Sequence, residues 1–452
     1  MIGLNKELED REHTGKPVRI GMIGAGQMGT DVVAETQMMK GIRVVVAADI
    51  ELERAIACYE IGQVDDEVII ADTSAEADAA VSAGKRVATS DYRVITDMKT
   101  VDVMLDATGV PDIGARAALR SARCGQHLAM MNVEADITVG PILRWYAEKK
   151  GVIYALAAGD EPAACKELFD FASALGFTIV AAGKGKNNPL DRHAIPHDPD
   201  IVKEAFRRGL NPNMLIEFID GSKTMIEMAA VSNATGLIPD VCGMHGPITD
   251  RDHLNQVFAL KDDGGILDKV GVVDYGIGHV APGVFLIVRT DHPRLREAMV
   301  LRDMGNGPYY TLFRPFHLCS IEVPLTCALM VIESKSNMQP MDKLYSEVFA
   351  VAKRDLLPDE VLDGIGGETF YSLIDTYEQA KTECLLPIGL AKGARLLQSV
   401  NKDSPITCSD VEIKKNTVLE LRELQDLWFA GKIGEVELLS RVDALANETL
   451  IT

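Results

Sequence analysis

The chain has 452 residues and a mass of 49.1 kDa, which at about 150 residues per domain suggests three domains. Hydrophobic residues make up 47% and charged residues 25%, and no low-complexity tract is present, so fibrous and disordered classes are excluded. Lys and Arg number 46 against 67 Asp and Glu, a net charge of −21 that repels a phosphate backbone. Nucleic acid is therefore not an expected partner, and an anionic ligand would need a local basic pocket.

The segment from Met1 to Lys16 is polar and acidic and does not read as a signal or transit peptide. No run approaches the roughly 18 apolar residues of a membrane span, so no membrane partner is expected. Eight scattered cysteines without a Cys-x-x-Cys pair read as reduced thiols, which points to the cytoplasm.

Val18 to Ile23 is a β-branched apolar run and reads as a buried strand. Gly24-Ala25-Gly26-Gln27-Met28-Gly29 follows at once and leads into an apolar-periodic helix. A second strand, Ile42 to Ala48, ends in Asp49, at the spacing where an acid meets the adenine ribose in a Rossmann unit. Gly24 permits the tight turn, Gly26 lets the pyrophosphate approach, and Gly29 lets helix and strand pack closely. Asp49 argues for NAD because a carboxylate repels a 2′-phosphate. Arg43 and Arg54 are nearby cations, so the residues alone leave NAD and NADP both open.

Further parallel strands are expected at Arg86–Thr89, Val103–Asp106, His127–Met131 and Val152–Ala157. The loops after two of them place Thr108, Gly109, Asn132 and Glu134 near the nicotinamide ribose, with loop capping as the bland alternative. Gly159-Asp160-Glu161-Pro162 follows the last of these strands and opens a helix from Ala163 to Leu175. Asp160 and Glu161 suit a metal ligand, a hydroxyl anchor or an acid–base pair, and equally a helix cap.

A strand at Phe177–Ala182 is followed by Gly183-Lys184-Gly185-Lys186-Asn187-Asn188-Pro189-Leu190-Asp191-Arg192-His193. This stretch gathers four basic side chains and two amides inside an acidic chain, and reads as a loop able to hold phosphate or polarise a carbonyl or alkoxide. Asp220-Gly221-Ser222 then leads a mostly apolar helix ending near Gly236, with Lys223 and Glu227 on one face and Asn233 within reach of the same site. Downstream, strands near Val284–Arg289 and Tyr310–Phe313 suggest a mixed or antiparallel sheet, with Arg314 and His317 as secondary substrate candidates. Ala352–Leu362, Leu386–Leu397 and Ser404–Glu412 look like a small β-rich module. Thr417 and Glu420 form a capping box that starts a terminal helix stopping near Gly431.

The expected fold is α/β: a Rossmann doubly wound sheet over 1–157, an α+β catalytic and dimerisation domain over 158–345, and a β-rich C-terminal module with terminal helices over 346–452. With Gly24–Gly29, Asn132-Val133-Glu134-Ala135-Asp136, Gly159–Pro162, Gly183–Asn188, Asp220–Met228 and Gly307–Leu318 taken together, the chain resembles the homoserine-dehydrogenase-like oxidoreductases that carry a SAF-type C-terminal domain. Within that group it looks most like the 1-deoxy-D-xylulose 5-phosphate reductoisomerase-like family. That resemblance implies an NADPH-dependent, fosmidomycin-inhibited homodimer that makes 2-C-methyl-D-erythritol 4-phosphate for isoprenoid synthesis.

On this reading Asp160, Lys184, Lys223 and Glu227 do the chemistry. Glu161, Lys186, Asn187, Asn188, Arg192, His193, Ser222, Asn233 and Arg314 hold a phosphorylated sugar. The motif Gly24, Ala25, Gly26, Gln27, Met28 and Gly29, with Asp49, Arg54, Thr108, Gly109, Asn132 and Glu134, holds the cofactor. Asp160 leaves room for a divalent cation, with no metal motif to name its ligands. Two departures matter: Val133 stands where homoserine dehydrogenases commonly carry lysine, and Gly221-Ser222-Lys223-Thr224 replaces their Gly-Thr-Ser-Asn-type loop. The alternative is a homoserine-dehydrogenase-like NAD(P) oxidoreductase acting on a small hydroxy or sugar acid. A dinucleotide-sensing regulatory protein is the non-enzymatic rival.

Overall fold

The structure, a computed structural model, describes residues 3–448. The chain folds into two compact units. The first runs to Ala163, takes back Leu318–Asp342, and takes in the described residues from Asn416 onward. The second comprises Ala164–His317 and Lys343–Lys415.

Short β-branched and alanine-rich runs build the sheet of the first unit. Its strands are β1 (Val18–Ile23), β2 (Ile42–Ala48), β3 (Val68–Ile70), β4 (Arg86–Thr89), β5 (Val103–Asp106), β6 (His127–Met130) and β7 (Tyr154–Leu156). All pair in parallel, in the order β3-β4-β2-β1-β5-β6-β7. Both faces are covered, which is why these strands read as continuous apolar runs rather than alternating ones. Ile23 is in register with Ala48 on one side and Asp106 on the other, so the loops after β1, β2 and β5 leave the sheet at one edge. The strand order reverses between β1 and β5, the position where such sheets open a ligand crevice. A helix at Leu4–His13 precedes β1, and its Leu4 and Leu8 join the core.

The helix Val133–Lys149 is buried along most of its length and carries Pro141 in its interior. Proline disturbs the preceding turn, and the repair comes from the terminal helix Thr417–Phe429. The Gln425 amide accepts from Ile142 N at 3.1 Å and donates to Thr138 O at 3.0 Å. These are the two groups that would bond each other in an uninterrupted helix. Trp428 packs on Trp145 with centroids 5.6 Å apart. The terminal helix is capped one residue earlier than expected: Asn416, not Thr417, is the N-cap, and its side chain accepts from Leu419 N at 2.8 Å. Thr417 is the first helical residue, and its own N–H donates to Asp112 at 2.8 Å.

The second unit holds a mixed sheet of β8 (Thr178–Lys186), β9 (Ile238–Pro239), β10 (Ile248–Asp250), β11 (Val272–His279), β12 (Val284–Arg289) and β13 (Tyr309–Arg314). Its order is β10-β11-β8-β12-β13, with β9 beside β11. β8 lies at the centre, parallel to β11 and antiparallel to β12. The expected strand end at Ala182 is therefore wrong by four residues: Gly183-Lys184-Gly185-Lys186 is strand, not loop. The reason is tertiary. A Cβ on Gly183 would lie 2.4 Å from Asp274 O, and one on Gly185 would lie 2.3 Å from Ala281 N. The glycines let neighbouring backbone close on a central strand, a role that sequence alone does not separate from turn-forming. An antiparallel pair of β14 (Ser346–Ala352) and β15 (Phe370–Thr376) and a short one of β16 (Arg395–Leu396) and β17 (Val411–Glu412) also belong to this unit. Among the described residues no helix is long and apolar enough to cross a membrane.

Replacing Gln425 by Leu strands the buried Ile142 N–H at the Pro141 turn and leaves Thr138 O only its 3.4 Å bond from Arg422 Nη1. Equilibrium urea unfolding should show a loss of about 1–3 kcal/mol, whereas exchange of the exposed Glu437 should change stability by less than about 0.5 kcal/mol.

Candidate functional site

The dinucleotide crevice of the first unit is built by the turn after β1. Gly24 has φ +98°, and a Cβ there would meet Ala107 O at 2.6 Å. Gly29 faces Gly24 O, 2.2 Å from where its Cβ would be. Gly26 faces open space and serves as the cap of the helix Gln27–Met38 without a side-chain cap bond, so a Cβ there would fill the cradle. Gly26, Gln27 and Met28 are exposed. Asp49, at the end of β2, accepts from Ala25 N at 2.9 Å and Glu51 N at 3.0 Å, which fixes its carboxylate beside the glycine turn. These residues fit a dinucleotide: helix N–H groups for pyrophosphate and a carboxylate for ribose hydroxyls.

The two cations weighed for a 2′-phosphate fare differently. Arg54 pairs with Glu51 at 2.9 Å, close to Asp49 in sequence. Arg43 lies near the amino end of β2 and pairs with Glu12 at 2.5 Å, so it belongs to the edge opposite the crevice. Thr108 and Asn132 are drawn to a fully buried Asp106. The Thr108 hydroxyl donates to it at 2.7 Å and the Asn132 amide at 3.1 Å, and burial pushes this carboxyl up against those bonds. Asn132 also caps its helix by accepting from Ala135 N at 3.1 Å. Gly109, with φ +62°, and Glu134, half-buried in the first helical turn, stand on the same loops. Asp160 is half-buried after β7, and Glu161 is buried at the start of the helix Glu161–Ala174.

In the second unit, Lys184 on β8 meets Glu227 on the helix Ser222–Thr235 in a direct ion pair. Lys184 is 4% exposed and Glu227 is 1% exposed. Sequence spacing joined Glu227 to Lys223, but the strand supplies the partner seen here, and Lys223 is half-buried one turn earlier. Lys186, two residues along on the same face, is buried and donates to Asn188 O at 2.9 Å and Phe218 O at 2.5 Å. Burial pushes its ammonium down to about 8, with Lys184 adding to the effect and Asp220 opposing it.

The remaining expected binders spread out. Asn187 is exposed, and Asn188 Oδ1 accepts from Arg208 at 3.5 Å. Arg192 lies over the Tyr371 ring at 5.7 Å, and His193 pairs with Asp403 at 2.7 Å. Ser222 Oγ accepts from Ser372 N at 3.0 Å. Asn233 Oδ1 accepts from Tyr345 N at 2.7 Å and Ser346 N at 3.1 Å, which pins the start of β14. Arg314 sits over Phe316 at 4.8 Å, 3.5 Å from Glu167, and His317 follows it in the chain.

Two pairs escaped the sequence reading. Lys353, after β14, forms an ion pair with buried Asp220 at 2.9 Å and donates to Gly367 O at 2.7 Å. His245 Nδ1 meets buried Asp274 at 2.8 Å, a bond that raises its imidazole pKa. Both partners come from distant sequence, and no local spacing signals either pair.

Residues 159–323 match a family model described as oxidoreductase DRL, catalytic domain. Lys184, Lys186 and Glu227 all fall inside that span, and a dinucleotide-binding sheet precedes it. That span thus reads as an oxidoreductase catalytic domain, and the sheet before it has the turn and the acid that fit a dinucleotide.

No curated protein matches it. Similar solved structures include a probable dehydrogenase from Thermotoga maritima, at 12% identity and TM-score 0.41, covering 70% of this chain and 90% of that one. Another is scyllo-inositol dehydrogenase from Lactobacillus casei with bound NAD(H) and scyllo-inositol, at 10% identity and TM-score 0.39, covering 71% of this chain and 91% of that one. A DOX-P reductoisomerase with fosmidomycin and magnesium matches at 16% identity and TM-score 0.34, over 46% of this chain and 56% of that one. These distant likenesses assign no substrate.

Asp49→Ser removes the carboxylate from the adenine-ribose end of the crevice. Fluorescence titration should show NADH binding weakened by about tenfold or more, from loss of a charged hydrogen bond, with NADPH binding unchanged or tighter. Equal weakening of both would remove Asp49 from this role.

Proposed function

We propose that the protein interconverts the alcohol and carbonyl forms of a small, non-phosphorylated hydroxy or sugar acid, with Lys184 and Glu227 handling the proton. The bound nicotinamide supplies or takes the hydride. The observation that carries this reading is the buried Lys184–Glu227 pair inside the segment that matches an oxidoreductase catalytic domain.

Carbonyl reduction leaves negative charge on oxygen, and a positioned ammonium stabilises that charge or delivers the proton. Glu227 holds the Lys184 head in one orientation. It also offers a carboxylate that accepts the proton when the reaction runs from the alcohol. Asp160 and Glu161, beside the last strand of the dinucleotide sheet, suit substrate hydroxyls or a divalent cation.

The reductoisomerase alternative needs a phosphate subsite, for which the basic stretch was the candidate. Its Lys186 ammonium is engaged by main-chain carbonyls and its His193 by Asp403, which supports the non-phosphorylated reading. The acid substrate class follows the resemblance to homoserine-dehydrogenase-like enzymes.

The test removes the pair in two ways. Lys184→Met takes the Lys184 ammonium away from buried Glu227, and should cost about 3–5 kcal/mol of stability. Lys184→Met with Glu227→Met should recover most of that loss, because two apolar groups replace two paired charges. Neither variant should recover turnover, and the double variant should fall by about 10²–10⁴ in kcat/KM with NAD(P)H affinity intact. A stable double variant with near-normal kcat/KM would dismiss the proposal.

A further inference from the structure

The dinucleotide crevice occupies the carboxyl edge of the parallel sheet in the first unit. The amino edge of the same sheet holds a separate cavity of about 680 Å³, within the ordinary size range of small-ligand sites. The six residues of β1 put about 20 Å between the two edges.

The lining of this cavity reverses the charge of the chain. Arg11, Lys16, Arg19, Arg43, Lys85 and Arg86 line it, against only Asp66 and Asp102. The chain as a whole carries 46 basic and 67 acidic side chains. Neighbouring acids offset part of this charge: Arg19 meets Asp102 at 3.4 Å, Arg43 meets Glu12 at 2.5 Å, Lys85 meets Glu67 at 2.9 Å and Arg86 meets Asp66 at 2.7 Å. Among the described residues Arg11 and Lys16 make no ion pair, and Arg11 donates to Lys16 O at 3.1 Å. Arg19 and Arg43 are register partners on adjacent parallel strands and so share one face. Like charges opposed across a strand pair repel, and an anion between them would relieve that. Arg86 is buried and braced by a bond from Nη1 to Val44 O at 3.0 Å, which makes the floor of the cavity rigid.

We infer that this cavity binds a small molecule bearing a phosphate or diphosphate group, at a site distinct from the dinucleotide crevice. Arginine forks match phosphate oxygens in geometry, and a concave site suits a small ligand better than an extended acidic surface.

The experiment uses the full chain with NADPH at saturation, so that the dinucleotide turn is filled. Calorimetry with inorganic pyrophosphate, and separately with ATP, should show one site per chain, and the tighter of the two tells a bare diphosphate from a nucleotide. Exposed Lys16→Glu should weaken binding by about tenfold with the fold untouched. Arg19→Gln with Arg43→Gln should abolish it while NADPH affinity stays at the starting value. No heat with either anion at millimolar concentration would overturn the inference. So would binding retained in both variants, or an equal effect from sodium chloride at matched ionic strength.

Discussion

A lysine and a glutamate meet where water hardly reaches, and the second unit is arranged around that fact. Desolvating two charges costs several kcal/mol per ion, so such a pair is a poor device for stability alone. Holding it requires Lys184 to sit on a central strand and Glu227 on a helix that packs over the same face. Gly183 and Gly185 let the backbone at Asp274 and Ala281 and the Phe285 ring come close to that strand. Around the pair, Lys186 is braced by carbonyls and Asp220 by Lys353, so the buried charges nearby are compensated one by one. A compensated, rigid and dry cationic head is what a developing alkoxide needs, since pre-oriented charge there costs no reorganisation during the reaction.

The first unit shows the same economy in a different form. One parallel sheet presents a glycine turn and helix N–H groups at its carboxyl edge and a cationic hollow at its amino edge. Its buried helix survives an internal proline because a glutamine from the far end of the chain fills the broken turn. The described residues from Asn416 onward thus belong to the unit that holds the glycine turn.

What the sequence revealed depended on whether the signal was local. The glycine turn, β1, β2 and Asp49 follow one another within a short span, and each could be read from spacing and side-chain chemistry. The helix ending at Gly236 was legible for the same reason, because glycine there adopts the left-handed cap conformation. The Gly-Lys-Gly-Lys stretch was not, since the packing that keeps it in a strand comes from residues some 90 to 100 positions later. Lys184 and Glu227 were each singled out by type, yet their pairing was hidden by the helical spacing that pointed to Lys223. Asn132, a polar residue at a strand end read as lying near the nicotinamide ribose, caps its helix and donates to Asp106, and spacing alone showed only the first of these as an option.

The most direct test of the central claim follows the transferred hydrogen. The protein is incubated with NAD(P)H deuterated at the nicotinamide C4 and a panel of small keto acids and sugar-derived carbonyl compounds, with 1-deoxy-D-xylulose 5-phosphate alongside, and the products are read by carbon and deuterium NMR. The account predicts deuterium on a carbinol carbon of a non-phosphorylated acid whose carbon skeleton is unchanged. Deuterium appearing only in a branched, rearranged phosphate ester, or in no product at all, would contradict it.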